Sequence, residues 1–327
     1  METMAILQFD YFTSSQVTTV FFIRLEESVM KINVVVTTYN HAKYLAQCLE
    51  GILNQKGDFQ MEVIIGDDAS TDNTRQIAEQ YQARYPGIII VLPPRENLGI
   101  TKNLKRCLDA CTGEYIAICE GDDFWTDVYK LQKQKDFLDQ HRDFSMCFCA
   151  YVIFFEETGE YKLHEASLHL EQDILTTRDL VEENYIGNFS CCMYRRQAVE
   201  KISKEIFEFF VVDWMFNMAC GQFGKIGFLR DWMSIYRKHS QGVWSGKTQH
   251  DQFLQLHASI NEYNKLLNYE YDAEFSKRQK DIELAFPELF AQTPGKNAKN
   301  RSQKALFGFI KRHSPDFVIR LYHKLIG

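Results

Sequence analysis

The feature that most constrains the fold of this chain is a short, β-branched apolar run. Such a run occurs four times, and each is followed by a segment with helical spacing. The first run is Ile32-Asn33-Val34-Val35-Val36. The other runs lie at 61–65, 88–91 and 115–119, and the first three helical segments at about 41–54, 72–84 and 101–110. Apolar runs without alternation are typical of strands buried on both faces. Repeated strand–helix units therefore predict an α/β fold with a mostly parallel central sheet flanked by helices.

Beyond Trp125 the pattern becomes mixed. We expect a helix to about 140, strands around 145–162, a helix near 176–184, a strand over 188–194, a helix around 213 and a strand over 226–237. The predicted catalytic domain covers residues 31–246, and residues 247–327 form a helical C-terminal region. Residues 1–30 are an N-terminal extension. Because Met30 directly precedes the first strand, we expect the native chain to start there.

Charge and cysteine content exclude several classes of protein. The formal net charge is -7, whereas a nucleic-acid-binding protein needs a basic face, so we expect no nucleic-acid partner. The nine cysteines lack paired CxxC spacing, which favours reduced, buried thiols in a cytoplasmic protein over a disulfide framework or a zinc site. No segment approaches the roughly 18–20 apolar residues that span a bilayer. The chain is therefore predicted to be soluble or peripheral to a membrane.

Acidic pairs follow two of the predicted strands. Asp67-Asp68 comes after the second strand and Asp122-Asp123 after the fourth. Ligands of open α/β sheets bind beyond the carboxyl ends of the strands, so these acids are expected to converge on one rim. Crowded carboxylates repel one another unless a cation lies between them, and Mg²⁺ typically takes one or two carboxylates together with phosphate oxygens. For either pair alone, the simpler interpretation is that aspartate ends a strand and caps a helix.

Four motifs taken together resemble a known family. They are Val35-Val36-Thr37-Thr38-Tyr39-Asn40, Ile64-Ile65-Gly66-Asp67-Asp68-Ala69-Ser70-Thr71-Asp72-Asn73-Thr74, Asn97-Leu98-Gly99 and Glu120-Gly121-Asp122-Asp123-Phe124-Trp125. Their order and spacing resemble glycosyltransferase family 2, the inverting enzymes with the GT-A fold. The resemblance implies transfer of a sugar from a nucleotide-diphosphate-sugar donor to a hydroxyl acceptor, in cell-surface polysaccharide or glycan synthesis.

The resemblance also implies roles for individual residues in binding the donor. Thr38 and Tyr39 would line the nucleotide base, Asp67 and Asp68 would hold the base and ribose, and Asn40 and Asn97 would complete the donor site. Glu120-Gly121-Asp122 matches the Asp-x-Asp metal motif of the family, with Glu in place of the first Asp. Glutamate is longer than aspartate by one methylene, so the distance from its carboxylate to the ribose or the metal differs from that in the family. We therefore assign Glu120 to the donor site and expect Asp122 to be the direct ligand of Mg²⁺ or Mn²⁺, with Asp123 supporting it.

Catalysis is expected to depend on Asp213. An inverting reaction needs a base that deprotonates the acceptor hydroxyl as it attacks the anomeric carbon. Asp213 opens an apolar helix and matches the catalytic aspartate of the family, although Val212 replaces the usual acid before it. The alternative is that Asp213 is only a helix cap. In the polar segment 236–246, the resemblance implies that His239 would reach the metal or the diphosphate and that Arg237 or Lys238 would offset the charge of the leaving group.

The C-terminal tail differs in charge from the rest of the chain. Residues 295–327 carry eight lysines and arginines and a single aspartate, a net charge of +7. Phe317, Val318, Leu321, Tyr322 and Leu325 share one helical face, as in helices that lie on anionic membranes. The tail therefore indicates peripheral contact with the inner face of the membrane. The family resemblance implies a glycan or lipid-linked acceptor. The alternative is a helix that packs on the acidic domain.

The sequence is less consistent with three rival functions. A nucleotidyltransferase is disfavoured because no Gly-rich, Arg-containing loop follows the first strand. A dinucleotide oxidoreductase is disfavoured because no GxGxxG follows a strand. A non-catalytic nucleotide-sugar-binding protein is compatible with Glu120, but Asp213 and His239 argue against it.

Overall fold

The computed structural model describes residues 30–209 and 213–290. The strands are β1 (Lys31–Thr38), β2 (Gln60–Asp67), β3 (Ile89–Val91), β4 (Tyr115–Ile118), β5 (Phe124–Trp125), β6 (Phe144–Phe155), β7 (Glu160–Leu163), β8 (Ile174–Leu175), β9 (Cys192–Arg195) and β10 (Lys225–Lys238). The helices are α1 (Leu45–Leu53), α2 (Thr74–Arg84), α3 (Ile100–Asp109), α4 (Lys130–Gln140), α5 (Glu165–His169), α6 (Thr177–Glu182), α7 (Arg196–Lys201), α8 (Asp213–Gly221), α9 (Gln249–Leu266), α10 (Asp272–Ala285) and α11 (Pro287–Phe290). The predictions for residues 1–29 and for the basic tail lie outside the described residues.

The described strands form one sheet in the order β3-β2-β1-β4-β9-β6-β10-β5, with β7 beside β6 and β8 beside β10. The first four strands of this order are parallel, with Val35 aligned to Ile64 on one side and to Ile118 on the other. Beyond β4 the sheet is mixed, since only β6 and β10 pair in parallel. The predicted α/β fold with a central sheet flanked by helices is confirmed, and its parallel part consists of β1–β4.

Strand β1 is an unbroken apolar run because both of its faces are covered. Val34 and Val36 pack in one cluster with helices α1, α2 and α4, while Val35 packs in the other with α3, α8 and α10. All three valines are fully buried, and each contributes roughly 1.5–3 kcal/mol by burial. Both clusters therefore hold β1 in register, and the end of the strand is a rigid support for the residues that follow it.

Local hydrogen bonds explain where the elements depart from the predicted boundaries. The segment predicted as a strand over 188–194 begins with a 3₁₀ helix, Phe189–Cys191, and becomes β9 only at Cys192. The side chain of Asn188 accepts the Ser190 N–H at 2.8 Å, and the Trp125 indole donates to the Ser190 carbonyl at 2.7 Å. These buried bonds turn the backbone away from the sheet, which hydrophobic periodicity does not reveal.

The structure also bears on two expectations from the composition. All nine cysteines are buried free thiols, as expected from their spacing. In the part of the chain that the structure describes, no helix is long and apolar enough to cross a bilayer.

Candidate active site

The carboxyl ends of β1, β2 and β4 open onto a cavity of about 650 Å³. Helix α3, residues 207–209, the first turn of α8 and the segment after β10 form its other walls. Eight of the residues predicted from the sequence line it: Thr38, Tyr39, Asp68, Asn97, Glu120, Asp122, Asp213 and Arg237. Asn40, Asp67, Asp123 and His239 lie behind this lining. The prediction that the polar strand ends converge on one rim is thus confirmed for β1, β2 and β4.

One side of the cavity is a network that joins the turns after β1 and β2. Asn40, in the left-handed region at φ 57°, donates its N–H to the Ser70 hydroxyl at 2.9 Å, and its side chain accepts the Thr71 N–H at 2.8 Å. The Ser70 hydroxyl in turn donates to the Asp67 carboxylate. Asn40 and Asp67 therefore shape this wall through the two turns.

The Asp68 carboxylate lies at the cavity surface and joins this network to the loop after β3. It accepts the Leu98 N–H at 2.7 Å, and the Asn97 side chain donates to the Asp68 carbonyl at 2.9 Å. Above them, Tyr39 is 43% exposed, which leaves its ring available to a flat ligand. The Thr38 hydroxyl is buried without a hydrogen-bond partner among the described residues.

A second group of side chains surrounds Asp122. The His239 imidazole lies 3.0 Å from the Asp122 carboxylate and that of His41 lies 3.6 Å from it, each measured from Nε2 to Oδ2. One ligand atom from each residue lies within 4.8 Å of the other two, a spacing that can hold a metal ion. Burial opposes ionisation of Asp122, but the two imidazoles hold its pKa below the ordinary value. The group therefore presents an ionised carboxylate between two nitrogen ligands.

Gly121 allows this close approach of the turn after β4 to β1. A Cβ at this position would lie 2.7 Å from the Thr38 hydroxyl and 3.1 Å from His41 Nδ1. The Gly121 N–H donates to the Thr37 carbonyl at 2.9 Å. The glycine between Glu120 and Asp122 is therefore required for packing, because any side chain would push Asp122 away from His41.

Asp123 does not join this group, in contrast to its predicted supporting role in metal binding. Its carboxylate accepts the Asn188 side chain at 2.9 Å, the Ser190 hydroxyl at 2.6 Å and the Arg237 N–H at 2.8 Å. The residue is 1% exposed, and burial together with the charge of Asp122 raises its pKa to about 7. Three protein donors therefore surround its two oxygens, and the carboxylate connects the turn to β10 and to the 3₁₀ helix.

Arg237 lines the cavity, but its guanidinium is engaged by protein groups. It forms an ion pair with Glu156, donates to Gln47 at 2.6 Å and to the Asp122 carbonyl at 2.8 Å, and lies over the Tyr44 ring. Its charge is thus largely neutralised by Glu156. The geometry favours a role in holding the Asp122 turn rather than in binding a diphosphate directly.

Two other acids face the cavity with raised pKa values. Burial, and then the charges of Asp122, Asp123 and Asp213, raise the pKa of Glu120 well above its ordinary value. Asp213 occupies the first turn of α8, where burial raises its pKa to about 6 and the Asn184 side chain donates to it at 3.4 Å. A carboxyl group with this pKa can both accept and release a proton near neutral pH.

Sequence reasoning missed His41 and the buried partners of Asp123. His41 directly follows the Thr37–Asn40 motif, and this position after a strand is the signal by which it could have been found. A single histidine is usually a core or surface residue, and only the fold brings it to Asp122 and His239. Asn188 and Ser190 carried no signal, because their chemistry depends on contact with residues more than 60 positions away.

Comparison with known proteins assigns the family. The model of glycosyl transferase family 2 matches residues 33–203, just over half of the chain. The chain belongs to this family. The matched region includes the acids after β2 and β4, whereas Asp213, Arg237 and His239 lie beyond it. The family assignment therefore covers the side of the cavity formed by β1, β2 and β4 more directly than the side near α8.

Relatives and solved structures agree with this assignment. An uncharacterized protein of Mycobacterium tuberculosis, Rv1520, is 35% identical over 216 residues, which cover 65% of this chain and 60% of the relative. The structure of S. aureus TarS 1-349 in complex with UDP-GlcNAc superposes with a TM-score of 0.55 at 19% identity, over 89% of this chain and 84% of that one. The mannosyltransferase PcManGT from Pyrobaculum calidifontis, in complex with GDP-Man and Mn²⁺, gives 0.59 at 15% identity, over 92% and 86%. At these identities the two structures show the fold alone.

Proposed function

We propose that this protein is an inverting, metal-dependent glycosyltransferase that moves a sugar from a nucleoside-diphosphate donor to a hydroxyl group. The observation that carries the proposal is that one cavity contains both the Asp122 group and Asp213. The first presents an ionised carboxylate between imidazoles, and the second is a carboxyl group with a pKa of about 6. Binding of a diphosphate and proton transfer from an acceptor need these two properties side by side.

The donor nucleotide is proposed to bind over the turns after β1 and β2. The exposed ring of Tyr39 offers a stacking surface for the base, and the unpaired Thr38 hydroxyl offers a hydrogen bond. Asp68 is 5% exposed and lines the cavity, where its carboxylate can accept a hydrogen bond from the ribose or the base. Asn40, Asp67 and Asn97 act through the network that holds these turns. The two solved structures with nucleotide sugars bound support this class of donor.

Asp122 and His239 are proposed to hold a divalent ion, for which Mg²⁺ and Mn²⁺ are the candidates. The donor set fits such an ion, since a carboxylate oxygen and an imidazole nitrogen 3.0 Å apart match the spacing of adjacent ligands of a six-coordinate ion, about 3 Å. When bound, the ion supplies positive charge that stabilises the departing diphosphate. Arg237 supports this arrangement through its bond to the Asp122 carbonyl.

Asp213 is proposed to be the catalytic base. Its carboxylate accepts the proton of the acceptor hydroxyl as that oxygen forms a bond to the anomeric carbon. The bond between the anomeric carbon and the diphosphate oxygen breaks with its electron pair leaving on the nucleotide, and the configuration inverts. Burial keeps the Asp213 pKa close to neutral, which is the range in which a general base works best.

The acceptor is proposed to be a glycan or lipid-linked hydroxyl in the synthesis of a cell-surface polysaccharide. Nucleotide sugars are cytoplasmic metabolites, so we place the reaction in the cytoplasm, at the inner face of the membrane if the basic tail binds anionic lipid. The tail composition supports this location.

A donor screen tests the proposal. UDP-, GDP- and TDP-sugars are mixed with the full chain, with Mn²⁺, with Mg²⁺ or with EDTA, and the melting temperature is recorded. One nucleotide sugar is expected to raise it, and EDTA to abolish the shift, since a ligand of the folded state stabilises it by mass action. Release of the nucleoside diphosphate from that donor is then followed over time. Equal shifts with and without metal across the panel would overturn the metal-dependent donor site.

A further inference from the structure

We infer that His41 is a metal ligand, and that His41, Asp122 and His239 form a two-histidine, one-carboxylate site that selects Mn²⁺ over Mg²⁺. The inference deepens the proposed function and rests on its assignment of a divalent ion to Asp122. It adds a ligand from the turn before α1, which lies outside the acidic motif. It also names Mn²⁺ as the ion, where the proposed function leaves Mg²⁺ and Mn²⁺ as candidates.

The three ligand atoms converge from separate parts of the fold. His41 follows β1, Asp122 follows β4 and His239 follows β10, and each loop is fixed by its own backbone bonds. The His41 carbonyl accepts the N–H groups of Tyr44 and Leu45 at 2.9 Å. The His239 carbonyl accepts the Ser245 hydroxyl at 2.9 Å. These bonds hold the backbone of His41 and of His239, and the Nε2 atoms of both rings lie within 3.6 Å of the Asp122 carboxylate.

The two rings are not arranged as a stacked structural pair. Their centroids lie 6.2 Å apart at an interplanar angle of 85°, with both Nε2 atoms directed at the same carboxylate oxygen. Within the described residues, Nδ1 of each ring is buried without a hydrogen-bond partner. Without an ion, the His239 Nε2–H donates to the Asp122 carboxylate at 3.0 Å. When the ring proton lies on Nδ1 instead, the Nε2 lone pair faces the carboxylate oxygen, and a cation is a partner that both atoms can share.

The chemistry of the ligands determines the choice of ion. Mg²⁺ prefers oxygen ligands and is usually held by one or two carboxylates with phosphates and water. Imidazole nitrogen favours first-row transition metals, and Mn²⁺ also accepts carboxylate and phosphate oxygens. Asp123, the second carboxylate of the turn, is held by Asn188, Ser190 and Arg237. The site thus offers two nitrogens and a single carboxylate, a set that disfavours Mg²⁺.

Direct measurement of metal binding tests the inference without an activity assay. The full chain is titrated with Mn²⁺, free Mn²⁺ is read by electron paramagnetic resonance, and Mg²⁺ is used as a competitor. Removal of the ligand in His41→Gln is expected to weaken Mn²⁺ binding at least about tenfold, since even outer-shell changes cost that much. His41→Glu, which supplies an oxygen ligand, is expected to retain binding and to lower the preference for Mn²⁺ over Mg²⁺.

His257→Gln is the matched control. His257 also contacts a carboxylate, that of Glu283 at 2.9 Å, but it lies on α9 outside the cavity lining. The His257→Gln variant should bind Mn²⁺ with wild-type affinity. Metal-free melting temperatures establish that each variant folds, and a variant that does not fold is replaced by His41→Asn.

The outcomes separate this inference from the proposed function. Wild-type Mn²⁺ affinity in folded His41→Gln, or equal competition by Mg²⁺ in the wild-type chain, overturns the inference even if the protein transfers sugar. Loss of Mn²⁺ binding in His41→Gln supports it even if no nucleotide sugar proves to be a donor, in which case the proposed function alone fails.

Discussion

Replacing Asp213 by Asn distinguishes a catalytic base from a helix cap, because Asn can cap a helix but cannot accept a proton. Burial raises the Asp213 pKa from 3.8 to about 6. The folded state therefore holds this proton more tightly than the unfolded chain does. The resulting stability cost is absent below the unfolded pKa, develops as pH rises toward about 6, and is fully present at pH 7. There it amounts to about 3 kcal/mol.

Asp213→Asn removes this cost and keeps a side chain that can cap α8. The loss of a negative charge near the start of a helix opposes the gain by only about 0.3–1 kcal/mol. We therefore expect the variant to melt at or above the wild-type temperature at pH 7. Transfer should nevertheless fall by roughly 10²–10⁴-fold, or about 3–5 kcal/mol, because the amide cannot accept the proton of the acceptor.

The wild-type pH profile adds an independent measurement. With a pKa of about 6, about nine-tenths of Asp213 is ionised at pH 7 and about one-tenth at pH 5. The kcat/KM for release of nucleoside diphosphate should then fall about tenfold between these values, and the small residual rate of Asp213→Asn should show no such step.

Asp272→Asn provides the control for these measurements. Asp272 is in the first turn of α10 and accepts the Asn264 side chain at 2.8 Å, as Asp213 accepts that of Asn184. Its replacement should leave the rate and the pH profile unchanged. If Asp213→Asn transferred sugar at near the wild-type rate, the aspartate would be only a helix cap and the reasoning above would be refuted.

Three further predictions concern groups outside the reaction itself. Asp123→Asn should leave Mn²⁺ affinity unchanged, because three protein donors hold the Asp123 carboxylate outside the Asp122 group; weaker Mn²⁺ binding by the folded variant would make Asp123 a ligand. Arg237→Met breaks the buried ion pair with Glu156. Lys43 still pairs with that acid at 2.6 Å, so we expect the free energy of unfolding to fall by about 3 kcal/mol, the lower end of the range for a broken buried pair. Adding Glu156→Gln should restore part of this loss. Deleting residues 296–327 should leave donor affinity intact and weaken flotation with anionic vesicles; unchanged flotation would argue against membrane contact by the tail.

The central part of the fold could be predicted from the sequence because its signals are local. The β-branched runs of β1 and β2 show no alternation, and this pattern has one common explanation, burial on both faces. The acids that follow these runs were placed on one rim by the geometry of parallel strands alone. The 3₁₀ helix before β9 was not predictable in this way, since it depends on bonds from Trp125 and Asn188 rather than on periodicity.

Within the site, the sequence could not distinguish between neighbouring side chains of the same type. Asp122 and Asp123 are adjacent acids in one turn, and nothing local indicates which one faces the cavity. The structure separates them through His239 on one side and through Asn188 and Ser190 on the other, all distant in the chain. Arg237 was likewise expected to face the donor, and only its pairing with Glu156 shows where its charge is used.

Four acids near the cavity illustrate how environment, rather than residue type, divides the work of a site. Asp122 is kept ionised by two imidazoles, and Asp123 is surrounded by three protein donors. Burial, and then the charges of neighbouring acids, raise the pKa of Glu120 well above the ordinary value, so it can offer a proton as a hydrogen-bond donor. Burial raises the pKa of Asp213 only to about 6. A site that needs one permanent charge and one exchangeable proton must separate its carboxyl pKa values in this way, and this separation assigns the ion to Asp122 and the base to Asp213 in the proposed reaction.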